Sequence, residues 1–97
     1  MNDFTKVMPT VKFTYALKRF YPDLKEVRVQ GKTVAEVLKD LDKLYPKLST
    51  YIVDDQGMLR KHVNIFIGNT LIEDKESLGD MVDEEDEIFI MQALSGG

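Results

Sequence analysis

The residues best suited to chemistry are the last two, Gly96 and Gly97, which end the 97-residue sequence in a small backbone carboxylate. With glycine near 7% of ordinary composition, two at one end arise by chance in roughly one chain in 200. Side-chain chemistry is scarce by comparison. Cysteine is absent, which removes disulfides, thiolate nucleophiles and the usual structural zinc sites. The single histidine, His62, has no partner with which to build a common nucleophile–base pair, and reads as a surface or packing residue. The acids from Asp83 to Glu87 lack the spacing and glycine of a calcium loop. Asp54-Asp55 with Gly57 reads as a turn, and no glycine-rich phosphate loop is present. No metal site and no catalytic residues of its own are expected.

A terminal carboxylate can act only if a folded body presents it, and the elements of that body are legible. Val11, Phe13 and Tyr15 alternate with Lys12 and Thr14, as in a half-buried strand. A turn near Tyr21-Pro22-Asp23 leads to a second alternating run, Glu26 to Gln30, so the two should form an antiparallel pair ending at Gly31. Thr33-Val34-Ala35-Glu36 is a capping box, with Thr33 as N-cap and Glu36 reaching back to its N–H. Val34, Val37, Leu38, Leu41, Leu44 and Tyr45 make one apolar stripe, and Pro46 disfavours helical geometry at Tyr45. The spacing therefore predicts an amphipathic helix over 34–45.

Residues 47–53 suggest a short helical turn, and Asp54 to Gly57 a reversal. His62 to Ile67 reads as a strand, and Gly68-Asn69 as a two-residue hairpin returning through Thr70-Leu71-Ile72. Leu78, Met81 and Val82 are expected to plug the core from a loop. Asp83 to Asp86 form a charged turn before the last strand, Glu87 to Met91. The order ββαβ(β)β predicts an α+β domain over residues 1–91, with one main helix packed across a mixed sheet. Residues 92–97 then form a flexible C-terminal tail.

Length allows one core and no more. Hydrophobic residues at 43% and charged residues at 31% are ordinary for a globular chain. No run approaches the roughly 20 apolar residues of a membrane span, and the N-terminus lacks a secretion-signal layout. A cytoplasmic location is expected, with no membrane partner. The net charge of −4 is uneven: residues 1–71 hold twelve Lys/Arg and eight Asp/Glu, residues 72–97 nine acids and only Lys75. An acidic C-terminal quarter repels nucleic acid and favours a basic protein surface.

Four blocks together resemble the ThiS/MoaD family of β-grasp, ubiquitin-like sulfur carriers. They are Met8-Pro9-Thr10, Gly31 to Leu38, Leu59 to Ile67, and Asp86 to Gly97, the last being the most specific. Family members usually show proline just before the tail, where this chain has Gln92-Ala93. Its length and middle block look more like the branch serving cysteine biosynthesis than the shorter thiamin carriers. Molybdopterin, thiamin and tRNA thiolation remain open as pathways.

The resemblance implies adenylation of Gly97 by an E1-like enzyme that supplies ATP and magnesium, the carrier binding no cofactor itself. A carboxylate is a poor electrophile, but the mixed anhydride offers AMP as leaving group. A sulfide or persulfide source then converts the terminus to a thiocarboxylate that delivers sulfur to an acceptor synthase. The protein would thus be a co-substrate, or the small subunit of a synthase complex. Gly96, Ser95 and Leu94 form the rest of the tail, and glycine's lack of a Cβ suits a narrow channel. Strand alternation puts Ile88 and Ile90 toward the helix and Phe66, Phe89 and Met91 on the opposite face, a candidate partner-binding surface. The same tail would serve a ubiquitin-like modifier joined to lysines through Gly97, whereas a passive β-grasp module would not need it.

Overall fold

The structure is a computed structural model that describes residues 7–92. Strand β1 (Thr10–Phe13) pairs antiparallel with β2 (Val27–Arg28), and helix α1 (Val34–Leu44) follows. Strands β3 (Val63–Ile67) and β4 (Thr70–Leu71) form a hairpin, and β5 (Glu87–Gln92) comes last. The five strands make one mixed sheet in the order β2-β1-β5-β3-β4. Strand β5 is thus central, parallel to β1 and antiparallel to β3.

Local chemistry explains the helix. The Thr33 hydroxyl accepts from the Glu36 N–H at 3.2 Å, and the Glu36 carboxylate accepts from the Lys32 N–H at 2.8 Å. The box therefore closes one residue earlier than the expected reciprocal bond to Thr33. The other orphan donors of the first turn are also satisfied: Val34 donates to the Asp80 carbonyl and Ala35 to the Leu78 carbonyl. At the other end Tyr45 donates to Leu41, and Pro46 follows the cap. Val34, Val37, Leu38 and Leu41 are buried, whereas Leu44 is 53% exposed. The apolar stripe thus outruns the surface it can cover, and Leu44 departs from the expected core.

Strands meet the helix through alternate residues. Val11, Val63, Ile65, Ile88 and Ile90 are buried on the inner face, and Ile90 stands between Phe13 and Ile65 in register. Each such aliphatic side chain contributes about 1.5–3 kcal/mol by leaving water. Leu78 and Val82 close the rim as expected, but Met81 is 73% exposed. A bridge between Thr33 and Met81 makes this segment extended, and extended backbone sends neighbours to opposite sides.

Two further departures lie near the start. The first strand stops at Phe13, and Tyr15–Arg19 coils into a 3-10 turn that buries Leu17. Burial of Leu17 outweighs the local alternation that favoured a longer strand. Regular pairing in β2 is only two residues long, although Val29 still donates to Pro9 and Gly31 to Val7. The expected short turn appears as a 3-10 helix at Leu48–Tyr51, and the Gly68-Asn69 loop joins the paired residues Ile67 and Thr70.

Candidate functional site

Strand β5 ends at Gln92, the last described residue. Its last rung pairs Gln92 with Val63, and the Gln92 N–H donates to the Thr14 hydroxyl at 3.2 Å. The Gln92 side-chain amide donates to the Tyr51 carbonyl and lies 3.4 Å from His62 Nε2. Thr50, Tyr51, Arg60, His62 and Gln92 line a cleft of about 260 Å³ at this point. Arg60 is held in place by its Nε, which donates to the Thr50 carbonyl at 3.0 Å. Phe20 stacks on Tyr51 with centroids 4.7 Å apart. Leu94, Ser95, Gly96 and Gly97, the expected reactive tail, lie outside the described residues.

The outer face of the sheet presents a second feature. Phe66 stands opposite Phe89, Met91 opposite Asn64, and Leu71 opposite Phe66. Phe66 and Phe89 are half-buried and Met91 is 42% exposed, so the three expected surface residues occupy one outward face. Lys12 borders them, its ammonium 5.4 Å from the Phe89 centroid and 3.4 Å from Glu87. The face is apolar in the middle and charged at its rim, a composition suited to protein contact.

The acids of the C-terminal quarter and the last described residue stand apart: Asp83 to Glu87 lie at the beginning of β5 and Gln92 at its end. A strand of this length puts roughly 17 Å between them. Part of the acidic end is neutralised internally, by Arg28 with Glu84 and Lys12 with Glu87, each at 3.4 Å. The side chains around the C-terminal end of β5 are instead Arg60, His62, Phe20 and Tyr51. None of these was singled out for function from sequence. The antiparallel pairing of β3 with β5 brings the residues before β3 to the end of β5, so no local pattern could have marked them.

Other polar features have structural explanations. The Asp74 carboxylate accepts from the backbone N–H groups of Glu76, Ser77 and Gly79, and these bonds, Ser77's and Gly79's foremost, hold its pKa below the usual carboxylate value. Desolvation, then the nearby Tyr51 and Asp42, raises the pKa of Tyr21, whose hydroxyl donates to the Pro46 carbonyl at 2.8 Å. A cleft of about 420 Å³ between α1 and the loops around Gln56 and Ser77 lies away from the end of β5. The first N–H groups of α1 are all bonded within the protein, so the helix terminus offers nothing to a phosphate. Among the described residues there is no cluster of metal-ligating side chains. No helix there is long and apolar enough to cross a membrane.

One long helix across a mixed sheet, with the last strand at its centre, defines a β-grasp, ubiquitin-like protein. The chain belongs to the ThiS family, which it matches over residues 11–97. It is 27% identical over 90 residues to the sulfur carrier protein CysO of Mycobacterium tuberculosis, covering 91% of this chain and 97% of the relative. The small archaeal modifier protein SAMP1 of Methanosarcina acetivorans superposes with a TM-score of 0.76 at 28% identity, over 95% of this chain and 98% of that one. A structure of the Amycolatopsis orientalis BexX/CysO complex superposes with a TM-score of 0.78 at 23% identity, over 91% and 98%.

Proposed function

We propose that this chain is a sulfur carrier whose Gly97 carboxylate is activated by adenylation and converted to a thiocarboxylate. The observation that carries the reading is that the ThiS-family match runs through the diglycine, to residue 97. In the first step the carboxylate attacks the α-phosphorus of ATP and pyrophosphate leaves. Sulfide then attacks the acyl carbon and AMP leaves, so oxygen is exchanged for sulfur without net redox change. An E1-like enzyme supplies ATP, magnesium and the catalytic groups. The carrier supplies the tail and a docking face, for which Phe66, Phe89 and Met91 are the candidates. Acceptance of the sulfur by a synthase in a cytoplasmic pathway follows, with cysteine formation favoured by the relationship to CysO.

Intact-mass measurement tests the reading directly. Incubation with the adenylating enzyme, ATP and a sulfur source should give the mass change of one oxygen replaced by sulfur, located at Gly97. An unchanged mass with an enzyme proven active on another carrier overturns it. The likeness to the Methanosarcina modifier favours one second reading, conjugation of Gly97 to lysines. Recovery of isopeptide-linked remnants of this chain from cells would support that reading.

A further inference from the structure

We propose that the end of the molecule from which β5 exits is a cationic and aromatic collar that seats on an acidic surface of the activating enzyme. This deepens the sulfur-carrier reading and rests on it. Three elements converge there. Arg60 and His62 line the cleft beside Gln92, with exposed Lys61 between them in sequence. Lys18 and Arg19, both exposed, end the 3-10 turn after β1. Because β1 and β5 are parallel, that turn lies beyond the same end of the sheet, where Thr14 bonds both Ile90 and Gln92.

Among the described residues, ion pairs engage Lys12, Arg28 and Lys43, and none engages Lys18, Arg19, Arg60 or Lys61. Asp54 and Asp55 share a neighbouring cleft with Arg60 and moderate its charge, an Asp54 oxygen also accepting from the Gln56 and Met58 N–H groups, so the positive charge at this end rests mainly on exposed Lys18, Arg19 and Lys61. Exposed Phe20, at 53%, stacks on Tyr51 within the same region. Aromatics beside arginine are the composition of interface anchors.

The occupant follows from charge complementarity. The molecule carries a net −4, yet its acids Asp83 to Glu87 stand at the opposite end of β5 from this collar. In the field of an acidic surface it would turn so that the β5 exit leads and the acidic end trails. Bulk charge alone makes the opposite prediction, since two acidic bodies repel and salt relieves the repulsion.

Stopped-flow association of the full chain with its adenylating enzyme separates the two. The wild-type association rate should fall as salt rises. The Arg19→Glu/Lys61→Glu variant should associate about tenfold more slowly at low salt, with a weaker salt dependence. Glu84→Lys/Glu85→Lys, at the far end, should stay within about twofold of wild type in the same series. All four side chains are exposed, and an unchanged thermal midpoint verifies folding. Equal rates for Arg19→Glu/Lys61→Glu and wild type, equal losses in both pairs, or acceleration by salt would overturn the collar. The intact-mass readout is run in parallel on wild type. Sulfur gained without any charge effect sinks the collar alone, whereas neither binding nor sulfur gain sinks the carrier reading and the collar with it.

Discussion

Gly31 holds a place where no other residue fits. A Cβ there would stand 2.7 Å from the Val37 amide nitrogen and 2.8 Å from its side chain, so the helix lies against bare backbone. Helix backbone cannot yield cheaply, and Gly31→Ala should lower the melting temperature by roughly 5–20 °C, from a cost of about 1–3 kcal/mol. Asp74 makes a different residue-scale case, because its role depends on charge. Its pKa in the folded state is depressed, so its contribution is present above the unfolded value near 4 and lost as pH falls through the lower folded value. Asp74→Asn should therefore melt earlier than wild type at neutral pH, and the gap should close in melts run progressively below about pH 4.

Strand β5 has two faces that answer to different demands. Ile90 is fully buried between Phe13 and Ile65, whereas its neighbour Phe89 lies outward beside Lys12 and Phe66. Ile90→Ala leaves a cavity, and urea unfolding should show a loss of about 2–5 kcal/mol. Phe89→Ala removes a half-buried ring, so it should cost less stability than Ile90→Ala while weakening binding to the adenylating enzyme by calorimetry, about tenfold for a loss of 1.4 kcal/mol. Comparable stability losses in the two variants, with enzyme binding untouched, would remove the outer face from the docking surface.

At the scale of the molecule, folding and reactivity are expected to be separable. The last described rung is Gln92 with Val63, and the central position of β5 is secured by β1 and β3. Deleting Gly96 and Gly97 should leave the melting temperature within about 2 °C, since no part of the described core is removed, while abolishing sulfur gain by mass spectrometry. A large fall in melting temperature would instead tie those residues to the fold.

Much of the fold is legible in the local sequence. The periodicity from Val34 to Leu41, the Thr33 cap, the Gly68-Asn69 turn and the alternation in β5 each depend on neighbours within a few residues, and each appears in the fold. The same alternation assigned Phe66, Phe89 and Met91 to one face. Where a stripe or strand stops depends on what lies opposite, so Leu44 and Met81 were read as core although both are exposed. Register between distant segments is a tertiary property as well. It brought Arg60, His62 and Tyr51 to the end of β5 and set the acids at its beginning.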